Sequence, residues 1–92
     1  MPLFLHAPKQ LEDTEIVKHL RELRPHAWAP YSDFWVSAIV ETQLPDRSYF
    51  YTSGVNVEMD EHQKLSVHGE QNAVINALSL LGGDTKFSKV WI

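Results

Sequence analysis

The chain has 92 residues, a net charge of −4, no cysteine, 43% hydrophobic and 22% charged residues. That describes one small domain of ordinary soluble composition. It argues against phosphate-driven nucleic-acid binding, offers no apolar run long enough for a bilayer span, and excludes a disulfide framework or thiolate metal site made by this chain alone. A cytoplasmic protein with neither nucleic-acid nor membrane partners is the expectation.

The opening "MPLFLHAPKQ" lacks a basic leader region and is interrupted by Pro2 and Pro8, so it is not read as a signal peptide. No regular element is assigned to it. Residues 13–24, "DTEIVKHLRELR", carry Ile16, Val17, Leu20 and Leu23 on one stripe. This predicts a helix capped by Asp13 or Thr14 and stopped before Pro25. "PHAWAPYSD" reads as a loop. "FWVSAIVET" from Phe34 and "YFYTSGVNV" from Tyr49 are β-branched and aromatic, and "LPDRS" between them supplies a turn. Residues 34–57 are therefore expected to form a β-hairpin. Residues 56–66 are polar and irregular. Ser66 is the expected N-cap of a second helix, with Val67, Val74, Leu78 and Leu81 on its apolar face, Ala73, Ile75 and Ala77 widening it, and Gly82-Gly83 ending it. "FSKVWI" is a third strand. Strand, helix and strand in this order predict a parallel crossover on a mixed sheet, an αββαβ pattern. The final Val90-Trp91-Ile92 has no polar tail and reads as an interrupted chain.

"SVHGEQNAV", residues 66–74, sets His68 two positions before Glu70. On a regular helix such residues point roughly 200° apart. They can share a pocket only at the helix start, where the histidine need not be helical. By itself the pair also fits an exposed first turn that favours a glutamate.

The order of segments carries more. "WAPYSDFWVSAIV", then "GVNVE", then "VHGEQNAV" resembles the cytidine deaminase family over residues 15–92, and "HGEQ" is similar to the branch whose first zinc ligand is histidine. The resemblance implies a three-layer α-β-α domain of the α/β class. It also implies zinc-dependent hydrolytic deamination of cytidine or deoxycytidine in pyrimidine salvage. His68 becomes a Zn2+ ligand and Glu70 the catalytic proton carrier, as in the H-x-E signature of zinc deaminases. Asn56 and Glu58 fall on the sugar hydroxyls, Phe34 against the pyrimidine, and the Gly69 backbone at the polar edge of the base. Neutral Gln71 suits a His-Cys-Cys ligand set.

Trp28 replaces the family's first tyrosine, Ser37 a strand glycine, and Gly69 an alanine. The family's Pro-Cys-x-x-Cys is missing. The two further cysteine ligands are expected from a C-terminal segment or a second chain, in a homo-oligomer, and the 92 residues alone are expected to be inactive. The alternative is a deaminase-fold remnant that binds a nucleoside or a protein partner without zinc. His6, His19, His26 and His62 are scattered, and "EMDEH" reads as a solvated acidic loop.

Overall fold

The computed structural model describes residues 3–58, 67–83 and 85–92. Four strands and two α-helices follow the order β1 (Phe4–Ala7), α1 (Asp13–Leu23), β2 (Ser37–Gln43), β3 (Tyr49–Val55), α2 (Gly69–Leu81) and β4 (Phe87–Trp91). A short 3-10 turn at Arg24–His26 follows α1, with Pro25 inside it. The strands form one sheet in the order β1-β3-β2-β4.

Two expectations change here. First, β1 is a strand. Leu3 and Leu5 alternate inward, and the Leu3 N–H donates to Ser53 Oγ at 2.6 Å. Pro8 follows at the sheet edge, where a missing donor costs nothing. Second, every adjacent pair in the described sheet is antiparallel, so it is not mixed. β3 and β4 do run in the same direction, as a helical crossover requires, but β2 lies between them. The pattern is βαββαβ.

The pleat of β2 divides the interior into two cores. Ile39 faces α1 with Ile16, Leu23 and Tyr51, whereas Ala38 and Val40 face α2 with Ala73. One helix therefore packs on each face of the sheet. The cap of α1 is Glu12 rather than Asp13 or Thr14, and its carbonyl accepts the Glu15 and Ile16 N–H groups at 3.0 and 3.1 Å.

The fully buried stripe of α2 is Gly69 with the expected Ala73 and Ala77; Val74 packs only partly against this core, and Ile75 and Leu78 are exposed. The cause is Gly54 of β3: a Cβ there would lie 2.3 Å from the Ala73 backbone nitrogen and 2.5 Å from the Gly69 oxygen. Helix and strand touch backbone to backbone, which only small residues at i, i+4 and i+8 permit. Thr52 Oγ1 donates to the Ala73 carbonyl at 2.9 Å. The Asn72 and Asn76 carboxamides donate to the Val55 and Ser53 carbonyls at 3.1 and 2.8 Å.

Glu41 is fully buried on the α1 side, where its carboxylate accepts from Ser88 Oγ at 2.6 Å, the Tyr51 hydroxyl at 2.8 Å and Gln10 Nε2 at 3.1 Å. Burial opposes the charge, but these donors and the Lys89 ammonium outweigh it and hold the carboxyl below its ordinary value of 4.5. Burial and the neighbouring Glu41 push the Tyr51 hydroxyl up to about 12. Because the folded value of Glu41 is depressed, its stabilising contribution is present above the unfolded value and lost as pH falls through the folded one. Urea melts at pH 7 and pH 3 are expected to differ less for Glu41→Gln than for the wild type. An unchanged pH difference would show that these donors do not hold the charge.

Candidate functional site

The carboxyl end of β3, the amino end of α2, the loop before β2 and the residue after β4 meet at one end of the sheet. Three chain segments are stitched there by backbone bonds. Trp28 N–H donates to the Asn56 carbonyl at 3.0 Å and Glu58 N–H to the Trp28 carbonyl at 2.8 Å. Val57 and Val67 exchange two bonds of 2.8 Å each. This ladder takes up Val67, so α2 begins at Gly69 and its cap position is His68, two residues later than the expected Ser66. Ser66 itself lies outside the described residues, as does His62.

A cavity of about 440 Å³ opens at this point. Its lining includes Phe34, Asn56, Glu58, His68, Gly69 and Glu70, joined by Ser32, Val36, Val67 and Ile92. All six residues singled out by the three motifs thus face one space. His68 has extended backbone angles, φ −76° and ψ 151°, and Glu70 sits in the first helical turn. That geometry lets residues two apart share a wall. Gln71 acts on the helix start itself, where its Oε1 accepts the His68 N–H at 3.1 Å and fixes the cap. A methyl on Gly69 would meet Val36 at 3.4 Å, ordinary contact, so the site has room for an alanine there.

Glu58 is not solvated. It is 5% exposed, and its Oε1 accepts the Tyr31 and Ser32 N–H groups at 3.1 and 3.0 Å while its Oε2 accepts the Ser32 hydroxyl. The Ser32 hydroxyl, with these backbone donors, holds the carboxyl below the usual range, so it is an ionised acceptor at neutral pH. Asn56 braces the same loop: Nδ2 donates to the Phe34 carbonyl at 2.8 Å, and Oδ1 accepts the Val36 N–H at 3.0 Å. Because these bonds consume the backbone of residues 34–36, β2 starts at Ser37 rather than at Phe34. The Phe34 ring is 71% exposed, a wall of the cavity rather than part of the core.

A second cavity of about 730 Å³ shares Phe34, Val36 and Ile92 and is also lined by Arg21 and Arg24. His6, His19 and His26 line neither cavity. Among the described residues no three His, Cys, Asp or Glu side chains come together as a metal site. His68 supplies one imidazole, and the chain has no cysteine to add. These residues alone therefore do not fit a catalytic zinc, which needs three protein ligands.

Comparison with protein-family models, with curated proteins and with solved structures finds no match. The cavity and its residues therefore carry the functional argument. No helix among the described residues is long and apolar enough to cross a membrane. Ser32, Val36 and Ile92 escaped the sequence reading. Ser32 lies inside a quoted motif, but only the fold brings its hydroxyl to Glu58.

Proposed function

We propose that this chain is the nucleoside-binding part of a cytidine deaminase-like enzyme, hydrolysing cytidine or deoxycytidine to the uridine product in pyrimidine salvage. The observation that carries the proposal is the convergence of Phe34, Asn56, Glu58, His68, Gly69 and Glu70, drawn from three separate segments, on one cavity. Glu58 and Asn56 receive sugar hydroxyls, since an ionised carboxylate accepts and a carboxamide both donates and accepts. Phe34 offers the pyrimidine a flat apolar face. Gly69 meets the polar edge of the base, and the Glu70 carboxylate carries protons to the ring nitrogen and the departing amine. His68 would offer one ligand to a zinc ion whose two thiolates would have to come from outside these 92 residues, and such an ion would supply a hydroxide nucleophile at neutral pH.

Oligomerisation and a cytoplasmic location belong to the same proposal. Ile75 and Leu80 on the outer face of α2 and Val90 on β4 are all about half exposed, which suits a covered surface.

Zinc analysis and intact mass of the native assembly test the proposal. The expected result is about one zinc per pair of this chain with a polypeptide carrying C-x-x-C, lost in His68→Ala. A native assembly that carries neither zinc nor a C-x-x-C polypeptide and still binds cytidine would instead establish the second reading, a deaminase-fold remnant. Among the described residues that line the cavity there is one imidazole and no cysteine, a set that this alternative accommodates without added ligands.

A further inference from the structure

Glu58 is more heavily engaged than a free substrate-binding carboxylate. A carboxylate offers about four acceptor positions. Tyr31 N–H and Ser32 N–H fill both positions on Oε1, and the Ser32 hydroxyl fills one on Oε2. Among the described residues one position is left, on Oε2, and Ser32 and Glu58 both line the cavity. Asn56 has given one hydrogen to the Phe34 carbonyl and one lone pair to the Val36 N–H, and among the described residues keeps one of each. The remaining inventory matches one hydroxyl group, which donates to Glu58 Oε2 and accepts from Asn56 Nδ2.

Ser32 joins this inventory to the wall of the cavity. Its hydroxyl donates to Glu58 and accepts the Phe34 N–H at 3.1 Å, so a single oxygen ties the hydroxyl acceptor to the residue that carries the aromatic ring. We propose that Ser32 is a specificity-determining residue: by holding one position of Glu58 Oε2, it restricts the carboxylate to a single sugar hydroxyl. This rests on the nucleoside reading above and adds to it the rule by which the site counts hydroxyls.

Bonds to an ionised acceptor are about twice as strong as neutral ones, so the count at Glu58 dominates discrimination between sugars. Vacating the Ser32 position opens a second charged acceptor, and a vicinal diol then makes two such bonds where either deoxy analogue makes one.

Calorimetric titration of the native assembly with cytidine, 2′-deoxycytidine and 3′-deoxycytidine tests the assignment. In the wild type, one deoxy analogue is expected to bind within about twofold of cytidine and the other about tenfold more weakly. In Ser32→Ala both analogues are expected to bind about tenfold more weakly than cytidine, and Ser32→Thr is expected to restore the wild-type pattern. Ser32→Cys, whose thiol is a weak donor, gives the same double loss and serves if the alanine variant does not fold. A variant lacking the hydroxyl that still tolerates one deoxy analogue overturns the role of Ser32 and leaves the nucleoside reading intact. Failure of the wild type to bind cytidine overturns the nucleoside reading, and this inference with it. A purely structural role would weaken all three ligands alike.

Discussion

Gly54→Ala is expected to lower the melting temperature of the protein by roughly 12–24 °C. The added methyl would lie 2.3 Å from Ala73 N, 2.5 Å from Gly69 O and 2.7 Å from the Asn72 carbonyl carbon, all backbone atoms. No rotamer change relieves contacts of that kind, and α2 must lift from β3. Overpacking at the severe end of the range costs about 3 kcal/mol or more, and each kcal/mol moves the midpoint by about 4–8 °C in a domain of this size. The displacement would also separate His68 and Glu70 from Asn56 and Glu58, so ligand binding is expected to fail below the melting transition. Gly83→Ala is the control, since its added methyl meets nothing within 4 Å. Circular dichroism melts decide the matter. A Gly54→Ala midpoint indistinguishable from that of Gly83→Ala would mean that helix and strand are not in backbone contact.

Asn56→Ala is expected to lose the cavity while keeping the fold. Its carboxamide serves two backbone groups of the loop before β2, and truncation leaves the Phe34 carbonyl and the Val36 N–H without partners. Unpaired groups of this kind cost about 2–3 kcal/mol together, confined to a loop that contributes little to the cores. The larger effect is on the site, because the aromatic wall is no longer held opposite His68. Cytidine affinity is expected to fall by about 100-fold or more, against about tenfold for a single lost contact. Asn56→Asp keeps the acceptor for Val36 but turns an oxygen toward the Phe34 carbonyl, so it is not expected to rescue binding. Amide exchange at Val36, read beside the titration, separates the effects. Weak binding with a protected Val36 amide would show that Asn56 acts only on the ligand.

The parts of this molecule legible in the sequence are those governed by periodicity. Ile16, Leu20 and Leu23 mark α1 correctly, and the β2–β3 hairpin follows from its β-branched runs. The hidden parts depend on distances between segments. β1 is four residues flanked by prolines and becomes a strand only because β3 offers it an edge. Periodicity puts large and small residues of α2 together on one apolar face, whereas the approach at Gly54 selects the small ones, Ala73 and Ala77, for full burial. A crossover suggests a parallel neighbour, but which strand intervenes is a property of the whole sheet. The site shows the same division. Motif order names six of the residues that line the cavity, yet the burial of Glu58 and the hydroxyl of Ser32 at its carboxylate are consequences of the chain returning on itself.

Asn56 and Glu58 grip the loop mainly by its main chain: the amides of Tyr31, Ser32 and Val36 and the carbonyl of Phe34. The side chains of Tyr31, Phe34 and Trp35 take no part in these bonds and are 52%, 71% and 41% exposed. Shape and chemistry of the cavity mouth are thereby inherited separately. Mutation can exchange the aromatic groups that a ligand meets without disturbing the scaffold that presents them, a modularity that lets one framework diversify across related ligands.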